Sequence, residues 1–219
     1  MRLMNRKSSH LMNKINLVAS KNQSCKISEE YRTIRTNFLT SMNGRKTQSL
    51  IITSPNHKEG KSTTAANFAI SLTQLGKKVL LIDADLRNSV LYSSFKINNC
   101  IGLSSVLNGE IKLEDAINKT EITGLDLLSS GPIPLNPADL LGSKLMGTLI
   151  DTAIGIYDVV LIDTPPVLEV ADVKIISNYC DGIILVIHLG KTERDEVIQV
   201  KKRLADSSKL VGVILNDKM

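Results

Sequence analysis

The chain has 219 residues, a net charge of +5, 42% hydrophobic residues and no tryptophan, which suits one domain large enough to bury a full core. Its longest apolar run, Gly182 to Ile187, is of buried-strand length and far short of a membrane span. No apolar stretch follows the N-terminal basic residues, so no secretory signal is expected. Three scattered cysteines (Cys25, Cys100, Cys180) match no metal-ligand spacing and read as reduced thiols of a cytosolic protein.

From Met1 to Ser28 the chain carries Arg2, Arg6, Lys7, Lys14, Lys21 and Lys26 and no acid. Such a stretch can be drawn to anionic lipid or an acidic partner, but a solvated, mobile segment is the simpler reading. Nucleic-acid binding is not expected, because no aromatic residues interleave with the charges. Ser28 to Leu39 then predicts a helix, with Ser28 as N-cap and Tyr31, Ile34, Phe38 and Met42 on its apolar face. Glu29, Arg32 and Arg35 step by three along a neighbouring face, a pattern of solvated charges or of a subunit contact. Asn43 to Lys46 reads as a polar turn.

Leu50 to Thr64 reads as an apolar strand, a tight loop and a helix opening at Gly60-Lys61-Ser62. Free N–H groups and the dipole at a helix start favour an anion, and a lysine and a serine there can reach phosphate oxygens and Mg²⁺. The loop departs from a full Walker A motif: Pro55 stands at the first glycine position, and His57 and Lys58 fill two places often held by small residues. The helix is expected over Ser62–Leu75, closed by Gly76. Val79 to Arg87 is a continuous apolar strand ending in Asp83 and Asp85. A pair of acids at the carboxyl end of a central strand is costly unless it serves a cation or a reaction.

Short helices are predicted over 102–109 and 113–117, a strand over Leu125–Leu128, a rigid loop over Gly131–Pro137 and one helix over 138–153 that buries Leu140, Leu141, Leu145, Leu149 and Ile150. Tyr157 to Asp163 is a second acid-ended strand with the Walker B pattern, stopped by Thr164-Pro165-Pro166. Helix 171–180, strand 182–187, helix 192–204 and strand 210–215 complete the alternation. The pattern predicts an α/β, three-layer P-loop NTPase fold: a mostly parallel central sheet with helices on both faces. Three strand ends carrying Gly60-Lys61-Ser62, Asp83/Asp85 and Asp163 point together to nucleotide phosphate and Mg²⁺.

With these residues assembled, the chain resembles the bacterial tyrosine kinases of capsular and exopolysaccharide synthesis, on the deviant Walker fold shared with partition and septum-site ATPases. The resemblance spans about residues 28–216. It rests on Glu29-x-x-Arg32-x-x-Arg35, Glu59 to Asn67, Leu81 to Arg87, Gly102 to Gly109, Gly131 to Pro137 and Asp163 to Pro166. It implies a basic segment over 1–27 followed by a P-loop kinase domain over 28–219.

The resemblance also implies roles. Glu59, Gly60, Lys61, Ser62, Thr63 and Thr64 would form the nucleotide site, with Asn216 at the adenine. Ser62, Asp83 and Asp163 would hold Mg²⁺, and Asp85 would act as general base toward a tyrosine hydroxyl. Glu29, Arg32 and Arg35 would join subunits into a ring. The implied partner is a membrane-spanning polysaccharide co-polymerase whose cytoplasmic end activates the kinase, with ATP and Mg²⁺ as cofactors and protein tyrosines as substrates. The implied location is the cytoplasm, at the inner face of the membrane. Tyr31, Tyr92, Tyr157 and Tyr179 are scattered and no tyrosine cluster follows Asn216, so either a tyrosine-bearing tail is absent from this chain or the substrates are other proteins. A non-kinase ATPase switch and a degenerate nucleotide-binding scaffold are the other readings.

Overall fold

The computed structural model describes residues 15–21, 25–41, 49–204 and 209–217. The readings for residues 1–14, for Met42 and for the turn at 43–46 lie outside them. The sheet contains β1 (Ser49–Thr53), β2 (Val79–Asp83), β3 (Asn118–Lys119), β4 (Leu125–Leu128), β5 (Val159–Asp163), β6 (Gly182–His188) and β7 (Leu210–Asn216). Their order is β3-β4-β2-β5-β1-β6-β7. Every pairing is parallel except β3 with β4. The central strands β1, β2 and β5 are buried at every position, as strands covered on both faces must be.

One face is covered by α1 (Val18–Lys21), α2 (Lys26–Ser41) and α3 (Lys61–Thr73). They pack Ala65, Ala66, Phe68, Ala69 and Leu72 with Phe38 into one core cluster; the Phe38 and Phe68 rings meet edge to face at 5.6 Å. The segment 15–21, read from its charges as part of a solvated tail, is seated on α3. Asn67 Oδ1 accepts from Ala19 N at 2.9 Å, Asn67 Nδ2 donates to Asn16 O at 3.0 Å, and Ala19 is 1% exposed. Apolar Ile15, Leu17 and Ala19 carry that packing, a signal the charge count hides.

On the opposite face lie α5 (Leu103–Leu107), α6 (Leu113–Ala116), α7 (Pro137–Leu141), α8 (Lys144–Ile156), α9 (Asp172–Ser177) and α10 (Arg194–Arg203), with the short α4 (Leu91–Ser94) following the β2 loop. Met146, Leu149, Ile150, Ala153, Val173, Ile176 and Val200 form the second core cluster. Three details differ from the sequence reading. Lys26 opens α2, so Ser28 is a buried first-turn residue beside Cys25 rather than the cap. The helix expected over 138–153 is two helices broken at Gly142-Ser143, which resets the face and leaves Leu145 48% exposed. The two-residue β3 is too short to show as alternation.

Gly102 sets how α5 meets the end of β4. Leu103 N donates to Ser129 O at 2.7 Å and Ser104 N to Ser130 O at 2.9 Å. A Cβ on Gly102 would stand 2.2 Å from Ser129 O and 2.3 Å from Gly131 N. Gly102→Ala is therefore expected to cost about 1–3 kcal/mol of stability, seen as a lower midpoint in a denaturant melt.

The two sheet edges differ. β3 has two residues and carries Lys119. β7 has seven, no charged side chain, and exposed Leu210, Val213 and Leu215.

Candidate active site at the strand ends

Parallel pairing brings the carboxyl ends of β1, β2 and β5 to one edge of the sheet. Asp83 lies in register with Asp163, and Asp163 with Ile52 of the strand that feeds the loop 54–60. This is where open α/β sheets bind ligands. Gly60 precedes α3 at φ +92°, and no side chain caps the helix start. The first N–H groups of α3 thus face the crevice as an anion site.

The loop is held by side chains from three other segments. Glu59 is fully buried; its carboxylate accepts from Thr192 Oγ1 at 2.7 Å and from Asn56 N at 3.2 Å. Its carbonyl accepts from Asn216 Nδ2 at 3.0 Å. Glu59 is therefore a strut of the loop, with both carboxylate oxygens engaged inside the protein. Asn216 Nδ2 would stand 2.3 Å from a Cβ on Gly60, so a side chain at 60 would push that amide off the Glu59 carbonyl. Asn56 Nδ2 donates to Glu196 Oε1 at 2.7 Å, Lys191 Nζ to His57 O at 2.7 Å, and His57 Nε2 pairs with Glu169 Oε2 at 2.6 Å.

Lys58 sits at φ +61°, the left-handed region that costs a non-glycine residue roughly 1–2 kcal/mol. Lys58→Gly is expected to raise stability by about 0.5–1 kcal/mol, measured as a shift of the melting midpoint.

Lys61 reaches across the crevice. Its ammonium lies 2.9 Å from Asp85 Oδ2, 3.9 Å from Asp163 Oδ1 and 3.2 Å from Ser62 Oγ. Burial works against its charge, but the Asp163, Asp85 and Asp83 carboxylates outweigh it and raise its pKa. Asp85 Oδ1 accepts from Asn88 N at 3.0 Å. Asp83 accepts from Ser89 Oγ at 2.7 Å and from Asp85 N at 3.3 Å. Arg87, just beyond, pairs with Asp172 at the start of α9, whose side chain is fully buried. Thr63 and Thr64 follow on the first turn of α3.

The residues suit Mg²⁺. Both carboxylate oxygens of Asp163 are buried without a well-formed hydrogen bond, with the Ser62 hydroxyl, the Lys61 ammonium and Asp83 near them. Among the described residues no three His, Cys, Asp or Glu side chains form a closed protein cage. Mg²⁺ does not need one, since it keeps waters and takes one or two carboxylates together with substrate phosphate.

Burial, with the Asp163 charge, pushes Asp83 from 3.8 up to about 7, while Ser89 and Lys61 pull it down. Burial, with Asp85, pushes Asp163 up to about 6 against Lys61 and the Ser62 hydroxyl. Raised carboxylate values mean that the metal-free fold holds protons the unfolded chain has released. The contribution of these two groups to stability is then greatest below the ordinary carboxylate range and falls as pH rises through about 4–7. Without Mg²⁺, this pair is expected to lower the melting midpoint between about pH 4.5 and 7, and Asp83→Asn to flatten that drop.

The three residues expected at a subunit contact divide. Glu29 and Arg32 pair with each other on the surface, while Arg35 turns inward and donates to Ser71 O of α3 at 2.5 Å. Of the tyrosines, Tyr157 is buried with its hydroxyl donating to Asp126. Thr192, Glu196, Ser89 and Asp172 were not singled out from sequence. Each is an ordinary polar residue; Thr192, Glu196 and Asp172 meet partners far along the chain, and Ser89 meets Asp83 across the turn after β2.

Residues 49–205 match the family described as AAA domain. The chain is 50% identical over 192 residues to tyrosine-protein kinase YwqD of Bacillus subtilis (strain 168), covering 87% of this chain and 81% of that one. It is 43% identical over 208 residues to tyrosine-protein kinase CpsD of Streptococcus agalactiae serotype III (strain NEM316), covering 94% and 89%. The kinase domain of Escherichia coli tyrosine kinase ETK superposes with a TM-score of 0.89 at 31% identity, covering 97% of this chain and 84% of that one. Identity of this extent, on a sheet that gathers Lys61, Asp83, Asp85 and Asp163 at one edge, is that of shared descent: the chain belongs to the bacterial tyrosine-protein kinases, on the P-loop NTPase fold.

Proposed function

We propose that this chain transfers the γ-phosphate of Mg²⁺–ATP to tyrosine hydroxyls of proteins in the control of capsule or exopolysaccharide production. The observation that carries the residue roles is the buried contact of Lys61 with Asp85, 2.9 Å apart at the uncapped start of α3. Phosphoryl transfer asks chiefly for positioning and charge neutralisation. The α3 N–H groups and Lys61 bind the phosphates, and Thr63 and Thr64 extend that contact along the first turn. Ser62, Asp83 and Asp163 hold the metal, which when bound supplies neutralisation of phosphate charge. Asp85 accepts the phenolic proton. Glu59 and Asn216 shape the loop, Asn216 also facing the base.

Arg32 and Glu29, on the open side of α2, are the residues for contact with a second copy in a ring, while Arg35 braces α2 on α3. No described helix is long and apolar enough to cross a membrane. The proposed setting is the inner membrane face, reached through the cytoplasmic segment of a membrane-spanning co-polymerase.

The test is label transfer from Mg²⁺–ATP to a tyrosine-bearing protein, with free phosphate followed in the same tube, with and without that segment. Label on tyrosine, lost in Lys61→Ala, supports the kinase. Free phosphate alone would indicate an ATPase switch, and neither signal a nucleotide-binding scaffold.

A further inference from the structure

The connection from β6 to α10 grips the phosphate loop 54–60 from outside. Glu196 Oε1 accepts from Asn56 Nδ2 at 2.7 Å, Lys191 Nζ donates to His57 O at 2.7 Å, and Thr192 Oγ1 donates to Glu59 Oε1 at 2.7 Å. The Thr192 contact differs from the other two. Lys191 is exposed and Asn56 and Glu196 are half-buried, so water can replace those bonds. Glu59 is fully buried, and among the described residues the donors on its carboxylate are Thr192 Oγ1 and Asn56 N. A buried carboxylate stripped of a donor must move or find another. The hydroxyl has one arrangement that satisfies it. It accepts from His188 N at 3.0 Å, which leaves its proton for Glu59.

Glu59 also carries the peptide that leads into α3. Its carbonyl is held by Asn216 Nδ2 at 3.0 Å, and a trans peptide points its N–H the opposite way. The Gly60 N–H is therefore aimed away from the end of β7. We propose that Thr192 is a positioning residue for the nucleotide: acting through Glu59, it holds the backbone at Gly60 in the shape that receives phosphate. The proposal rests on the reading of this loop as the phosphate site. A loop already held in its binding shape loses little freedom when the ligand arrives, and that gain appears as affinity.

The experiment compares Thr192→Val, which keeps the shape and removes the hydroxyl, with Thr192→Ser, which keeps the hydroxyl. Each is titrated with Mg²⁺–ADP in a calorimeter and assayed for label transfer at varied Mg²⁺–ATP. Thr192→Val is expected to weaken Mg²⁺–ADP binding and raise KM for Mg²⁺–ATP by about tenfold, with kcat within about threefold. Thr192→Ser is expected to bind within about threefold of the unaltered chain. In a Glu59→Gln background, Thr192→Val is expected to cost less than about threefold more, because the hydroxyl acts through that carboxylate. Thr192→Val binding within about twofold of the unaltered chain would overturn the proposal, as would Thr192→Ser binding as weakly as Thr192→Val. Effects that multiply in full in the double variant, or a loss confined to kcat, would also overturn it. Calorimetry needs no phosphoryl transfer, so the two readings fail separately. An unaltered chain that binds Mg²⁺–ADP without labelling tyrosine removes only the kinase. Intact labelling that Thr192→Val does not disturb removes only the role of Thr192.

Discussion

Asp85→Asn is expected to lower tyrosine phosphorylation by about 10²–10⁴-fold while Mg²⁺–ATP still binds. Asp85 is 1% exposed, with one oxygen on Lys61 and the other on Asn88 N. An asparagine of the same shape keeps an acceptor for the Asn88 N–H group. What it loses is the charge and the capacity to take a proton. Removing a negative charge beside the phosphates does not oppose nucleotide binding, and Lys61 is released toward them. Calorimetry with Mg²⁺–ATP and label transfer to tyrosine separate the two effects. Unchanged phosphotyrosine formation would remove the role of base from Asp85.

Lys61→Met is expected to act on both binding and the fold. A lost charge-assisted contact to phosphate costs about 2–5 kcal/mol, roughly 30–5,000-fold in affinity. In the nucleotide-free protein the same change strips Asp85 of its ion pair and Asp163 of the cation 3.9 Å away. Leaving a buried charge without its partner costs about 3–5 kcal/mol, and protonation of Asp83 or Asp163 relieves part of that at low pH. The loss should therefore be larger at pH 8 than at pH 6. Denaturant melts of both proteins at the two pH values measure it. Equal losses at both would show that the carboxylates do not feel the lysine.

The strands and the gathering of acids at their ends were legible because both follow from local rules. Val79 to Asp83 and Val159 to Asp163 are unbroken apolar runs closed by an acid, and a parallel sheet brings such ends together. Long-range contacts were not legible. Glu59 sits inside the phosphate-loop motif, yet its carboxylate is taken up by Thr192, far along the chain. Arg35 shares a stripe with Glu29 and Arg32, but the packing of α2 on α3 turns it inward. The break at Gly142-Ser143 lay within an apolar stretch that periodicity alone continues. Residues 15–21 were masked by the charges around them, although Ile15, Leu17 and Ala19 supply the contact.

The unequal edges of the sheet bear on how this protein behaves in concentrated solution. Among the described residues β7 has a strand neighbour on one side only, so its outer N–H and C=O groups form a template along Leu210–Asn216. Neither proline nor lysine blunts it, and only a slip of one residue at Val211 interrupts its pairing with β6, whereas Lys119 guards the two-residue strand at the other edge. An uncharged edge with Val213 and Leu215 exposed invites strand-to-strand pairing between molecules. Loss to aggregate on storage or mild heating would then begin at this edge, with the nucleotide crevice still folded.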